Sequence, residues 1–308
     1  MNTATETATK GSRMDTNRSG VDRRFMSLTN HLTPGLLTGS DRQKEFDFKV
    51  VKRPIFFGDG SGSVNFPLKK SQVHGMNAVV RQDTNEPLSL VSDRYNIVEH
   101  KLPILAFEET LKELGMGEDV RSGLHMDQNG GRFRALYMFP ELTSEVNGEK
   151  MSPLVHLTGS YDAMSKLKTE LNSFKFSCSN LALGRGVLGL GFKLHHCSGD
   201  GKDVKKNVTH LTRMLDSFDE SLETFRRWDK TLWTPQNVEE VRTRFEAQGK
   251  FHGGNLMQRM EGVAESRGTI WQAFNEGTQW GTHNAPSANV GMRILKAVDT
   301  AFGEVSMN

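Results

Sequence analysis

Residues 120–139 read VRSGLHMDQNGGRFRALYMF, and this stretch decides the fold. Two runs with strand character, 120–126 and 132–139, flank the turn-forming segment 127–131. Asn129-Gly130 lies at the centre of that segment, and Asn-Gly between two such runs is a strong short-range signal for a β-hairpin. The sequence therefore predicts an antiparallel pair of strands here.

Working outward, the same signals predict more strands on both sides. Alternating apolar residues begin at Phe46, and the further candidates are 46–50, 55–57, 77–81, 88–91, 151–159, 173–179 and 187–194. Residues 77–91 form a second predicted hairpin. One helix interrupts them: apolar residues recur at helical spacing over 101–114, and Gly115 ends the run.

The character of the chain changes after about residue 203. Helical periodicity runs from 204 to 228, and Thr234-Pro235 starts a helix that reaches about 248. Further helices are predicted at 255–266, 268–279 and 289–302. Strands followed by helices indicate an α+β fold, with an antiparallel sheet-rich N-terminal two-thirds and a helical C-terminal third.

This pattern predicts three parts. Residues 1–44 are polar and aperiodic, so we expect a disordered N-terminal tail. Residues 45–203 form a strand-rich α+β core, and residues 204–308 form a helical region that packs on the core or extends from it.

No apolar run approaches the ~20 residues of a membrane span, and the two cysteines, Cys178 and Cys197, make no disulfide framework. We therefore expect a cytoplasmic protein without a membrane partner.

The formal net charge of +2 is no signal for a polyanion partner, but the charge is unevenly distributed. Residues 166–213 contain nine basic and three acidic residues, a local net charge of +6. Cations grip phosphates and aromatic faces stack on bases. The predicted nucleic-acid contacts are Tyr161 for stacking and, for phosphates, Lys166, Lys168, Lys175, Arg185, Lys193, Lys202, Lys205 and Lys206. An ordinary solvated face explains the tract as well.

Signals for catalysis and metal binding are weak. Cys178, His195, His196 and Cys197 are a conceivable zinc set, but the first cysteine lacks a partner at the usual spacing. The carboxylate pair Glu108-Glu109 fits a solvated helix face. The glycines of residues 58–62 lack the Gly-Lys-Ser/Thr ending of a phosphate loop. We predict no catalytic residue, no metal and no cofactor.

Three segments resemble a phage/plasmid-like protein family of unknown function that is found in many mobile elements. They are residues 91–98 (VSDRYNIV), residues 158–162 (TGSYD) with 176–181 (FSCSNL) and a downstream histidine, and residues 269–284 before the last helix. The resemblance spans about 90–300. It implies a phage or plasmid origin and no settled activity.

Three hypotheses follow. The first is a non-enzymatic DNA-binding protein that binds or anneals single-stranded DNA in replication or recombination and assembles as an oligomer. The second is a protein-binding module that inhibits or redirects a host factor through the helical third and its tryptophans. The third is a metal-dependent enzyme of nucleic acids. The basic tract favours the first.

Overall fold

A computed structural model describes residues 32–57, 71–161, 167–175, 181–182, 192–194, 207–248, 254–285, 288–303 and 305. The strands are β1 (Thr33–Pro34), β2 (Val50–Phe57), β3 (Ser71–Arg81), β4 (Pro87–Ser92), β5 (Arg121–Asp127), β6 (Arg132–Met138), β7 (Ser144–Val146), β8 (Glu149–Ser160), β9 (Leu167–Lys175), β10 (Leu181–Ala182) and β11 (Phe192–Leu194). The helices are α1 (Gln43–Phe46), α2 (Lys101–Glu113), α3 (Asn207–Lys230), α4 (Pro235–Ala247), α5 (Gly254–Glu265), α6 (Ile270–Gln279) and α7 (Ala288–Gly303).

The strands form two antiparallel sheets. The larger one has eight strands in the order β1-β5-β6-β8-β9-β10, with β7 paired to β8 and β11 paired to β9. The smaller one has the order β2-β3-β4. Sheets in the N-terminal part and helices in the C-terminal part confirm the predicted α+β class.

The predicted hairpin is the β5–β6 pair of the large sheet. Its turn places Asn129 at φ 56° and Gly130 at φ 93°. Both angles lie in the left-handed region, which glycine and asparagine enter most readily. A Cβ on Gly130 would also lie 2.6 Å from the ring of Phe48, so glycine is required there for space as well as conformation.

One face of the large sheet packs against helix α2. The rings of Phe107 and Tyr137 lie 4.6 Å apart between centroids. Beside them, the buried carboxylate of Glu108 accepts hydrogen bonds from the Tyr137 hydroxyl (2.9 Å) and from the backbone N–H groups of Leu37 (2.7 Å) and Thr38 (2.9 Å). The Thr38 hydroxyl also donates to Glu108. The expectation that Glu108 lies on a solvated helix face is therefore wrong.

The same contacts show that the ordered part of the chain starts earlier than the sequence predicts. Residues 32–44 were expected in the disordered tail, yet Thr33 and Pro34 pair with β5 and Leu37 is fully buried. Phe46, where strand alternation was predicted to begin, is instead the last residue of the short helix α1, and the strand starts at Val50. Strand β2 continues through Pro54, with a register shift before Phe56. Strand β2 lies at the edge of the small sheet. Proline, which has no backbone N–H, is tolerated where an edge-strand residue faces away from its neighbour and donates no hydrogen bond to it.

The helical third forms one aromatic core. Trp228, Trp233 and Trp271 are each 1% exposed. The ring of Phe274 lies 5.1 Å from Trp228 and 5.4 Å from Phe302, which joins three helices. Thr234 and Thr269 begin α4 and α6 with capping boxes, which satisfy the first free backbone N–H groups. None of the described helices is both long and apolar enough to span a membrane.

Candidate nucleic-acid interface

Basic residues form one row across the large sheet. The antiparallel registers pair His125 with Arg134, Arg134 with Thr158, Thr158 with Lys168, and Lys168 with Lys193. Directly paired residues occupy the same face of a sheet. We call His125, Arg134, Thr158, Lys168 and Lys193 the basic row. Since neighbouring strands lie about 4.8 Å apart, it spans about 19 Å from β5 to β11.

The basic row is a strip of half-buried side chains on its face of the sheet. The side chains of His125, Arg134, Thr158 and Lys168 are all half-buried. Two residues further along the strands on the same face, Leu136 is 0% and His156 is 3% exposed. On the other side of the row, Ser160 of β8 is 0% exposed and its paired residue Arg132 is half-buried, so the row is a half-buried strip with covered positions on both sides along β8.

Two acidic positions flank the row along its strands, Glu170 on β9 and Asp127 on β5. Glu170 lies two residues from Lys168, and its Oε1 is 3.6 Å from the Nζ of Lys296 on α7. Arg132, two residues from Arg134 on β6, is half-buried, and the register pairs it with Asp127.

His156 is next to the basic row but does not add to its charge. The pKa of His156 is lowered from 6.5 to about 4, mainly by burial; Glu170 at the paired position acts to raise it, and the nearby Arg134 acts to lower it. The imidazole is therefore neutral near neutral pH. A base that is fully covered and this weakly basic is poorly placed for proton transfer to a ligand.

Tyr161, the predicted stacking residue, is buried. It is 0% exposed, and its ring stacks on His100 with centroids 3.7 Å apart. Its hydroxyl accepts the backbone N–H of His100 at 2.8 Å, and its carbonyl accepts from the Ser89 hydroxyl at 2.6 Å. These contacts join the small sheet to the end of β8. A base cannot reach this ring in the folded structure, so Tyr161 has a packing role and is not carried into the interface.

The remaining predicted residues divide into two groups. Lys175, the last residue of β9, pairs with Met151 and lies outside the basic row. Outside the described residues are Lys166, Arg185, Lys202, Lys205 and Lys206, together with the conceivable zinc ligands Cys178, His195, His196 and Cys197. Within the described ranges, no group of three or more His, Cys, Asp or Glu side chains is arranged to hold a metal ion.

The described tryptophans give little surface for a protein partner. Trp228, Trp233 and Trp271 are core residues, which confirms helix packing as their default role. Trp280 is half-buried, and the guanidinium of Arg259 lies 5.9 Å from its ring centroid.

Sequence reasoning missed His125 and Arg134. Their strands were predicted correctly, and Arg132-Phe133-Arg134-Ala135 alternates charged and apolar residues as a half-buried strand does. That alternation was the available signal. The pairing of β6 with β8, which brings Arg134 towards Lys168, is not readable from it.

Comparison with known proteins matches the chain to a family model. No curated protein and no solved structure matches the chain. A family model covers residues 87–299, from the start of β4 into α7, and so includes the whole basic row together with most of the helical third. On that match, the chain belongs to the family described as Domain of unknown function (DUF932).

Proposed function

We propose that this protein binds nucleic acid through the basic row and is not an enzyme. The observation that carries the proposal is the alignment of His125, Arg134, Lys168 and Lys193 in one register across the sheet. Phosphates are the ligands that a line of cations attracts most strongly, because each contact releases condensed counterions.

The polar groups around the row support binding over catalysis. The pKa of His156 is held at about 4 by burial, so this histidine is a poor general base near neutral pH. Glu170 is joined to Lys296. Arginine and lysine contacts to phosphate position a strand without breaking it.

The biological setting is part of the proposal. Resemblance to a family of mobile elements supports a phage or plasmid protein that acts in DNA replication or recombination in the cytoplasm of its host. This support is associational, since fold and family do not by themselves determine function. The chemistry of the row carries the binding claim independently.

Charge reversal in the row is the direct test. Lys168→Glu is compared with Lys112→Glu, an exposed lysine on helix α2, which packs against the other face of the sheet. Both variants change the net charge equally. Fluorescence anisotropy with a labelled oligonucleotide should show at least about tenfold weaker binding for Lys168→Glu and near wild-type binding for Lys112→Glu. Equal losses in both variants would indicate attraction by net charge alone and would overturn the proposal.

A further inference from the structure

We infer that the ligand is a single strand whose backbone crosses the β-strands along the basic row. This inference rests on the proposed nucleic-acid binding and adds the form and path of the ligand. It starts from the position of the row within the sheet, which decides which kinds of nucleic acid can approach it.

The row is carried mainly by interior strands. Strands β6, β8 and β9 each have paired neighbours on both sides. The major groove of a duplex is about 12 Å wide and admits a helix or a two-stranded ribbon. A continuous sheet more than three strands wide, at about 4.8 Å per strand, cannot enter it. Arg134 and Lys168 therefore cannot reach the base edges in the major groove of an undistorted duplex.

Exposure also favours a single strand. His125, Arg134, Thr158 and Lys168 are half-buried and border the fully covered Leu136. Contact with such side chains requires a ligand that lies close against the sheet along its whole length. A flexible single strand can follow this half-buried strip, whereas the stiff, rounded surface of a duplex meets protruding side chains first.

The row determines how many nucleotides of the strand are contacted, and its side chains give no preference for particular bases. A stacked strand rises about 3.4 Å per nucleotide, so about 19 Å corresponds to roughly five or six nucleotides. With Tyr161 buried, the described part of the row has no Phe, Tyr or Trp ring on which a base can stack, and its imidazole, His125, is half-buried at one end. The contacts are then to phosphates, which carry no sequence information.

The test is a length series of single-stranded oligonucleotides, from about three to about twelve nucleotides, with a duplex of the longest length as competitor. The full chain is used, with Lys168→Glu and Lys112→Glu beside it. We expect affinity to rise steeply up to about six nucleotides and slowly beyond, single strands to bind about tenfold tighter than the duplex, and thymine and adenine runs to bind alike.

The outcomes separate this inference from the proposed function. A duplex that binds as tightly as the single strand, with binding still lost in Lys168→Glu, would overturn the single-strand path and leave nucleic-acid binding intact. A strong preference for one base would overturn the backbone-only contact. Failure of every oligonucleotide to bind at low salt would overturn both claims.

Discussion

Lys168 on β9 lies directly opposite Lys193 on β11 in the antiparallel register. Like charges at directly paired positions destabilise a sheet, whereas opposite charges stabilise it. The chain also contains an opposite-charge pair at directly paired positions, Glu145 on β7 and Lys150 on β8. A like-charge pair that costs stability in the free protein is expected where an anionic ligand compensates for it.

This contrast predicts opposite effects of the same substitution. Lys168→Thr should raise the free energy of unfolding by about 0.2–1 kcal/mol, since it removes the repulsion, and should weaken oligonucleotide binding. Lys150→Thr should lower stability by a similar amount and leave binding unchanged. Urea denaturation and fluorescence anisotropy measure the two quantities. A stability loss in Lys168→Thr equal to that in Lys150→Thr would argue against an unfavourable lysine pair.

Glu108 should stabilise the fold, whereas its exposed neighbour Glu109 should not. Its carboxylate accepts hydrogen bonds from Leu37, Thr38 and Tyr137, and burial together with this carboxylate raises the pKa of Tyr137 well above its usual value, so the phenol remains a donor. Glu108→Gln replaces one acceptor oxygen with an amide NH2 group, which leaves part of these donors without an acceptor and should cost about 1–3 kcal/mol. Glu109→Gln should be nearly neutral. Thermal unfolding compares them, and equal melting temperatures would contradict the role of Glu108.

Stability should depend on pH through His156. Its pKa is lowered from 6.5 to about 4 in the folded protein, mainly by burial. The unfolded chain therefore takes up a proton at higher pH than the folded protein does. The resulting stability is present above pH 6.5 and is lost as the pH falls towards 4, by at most about 3 kcal/mol.

The corresponding substitution is His156→Gln, with the exposed His74→Gln as its control. Unfolding measured between about pH 7 and pH 4.5 should change less steeply with pH in His156→Gln than in the wild type. His74→Gln should keep the wild-type steepness. An unchanged steepness in His156→Gln would show that this imidazole is not held neutral by the fold.

Two glycines in the helical third should respond in opposite ways to alanine. A Cβ on Gly291 of α7 would clash with the backbone carbonyl oxygen of Gly281, whereas a Cβ on Gly262 of α5 would meet no atom within 4 Å. Gly291→Ala should destabilise by about 1–3 kcal/mol because helix α7 must move. Gly262→Ala should stabilise by about 0.5–1 kcal/mol through helix propensity. Chemical denaturation of both variants checks the packing of α7, and a stable Gly291→Ala protein would refute it.

Local signals predicted most of the elements. Asn129-Gly130 located the main hairpin, and Gly115, at φ 70°, ends the predicted helix α2. Thr234 and Pro235 likewise marked the start of α4. These features act over a few residues, so the sequence alone displays them.

Long-range relationships were not predictable in the same way. Glu108 resembles Glu109 in sequence, and it is buried only because Leu37 and Thr38, about 70 residues away, cover it. Lys168 and Lys193 were selected from the composition of a basic tract, but the position of Arg134 beside them depends on the β6–β8 and β8–β9 registers. Strand alternation shows which residues share a face of one strand and leaves open which strands are neighbours.

The salt dependence of oligonucleotide binding tests the central claim most directly. For a single strand, the logarithm of the binding constant falls with the logarithm of salt concentration by about 0.7 per phosphate neutralised. Three or four cations in the basic row predict a slope of about −2 to −3 for the wild type, and Lys168→Gln should reduce its magnitude by about 0.7. A slope near zero, or the same slope in Lys168→Gln and the wild type, would contradict phosphate binding by this row.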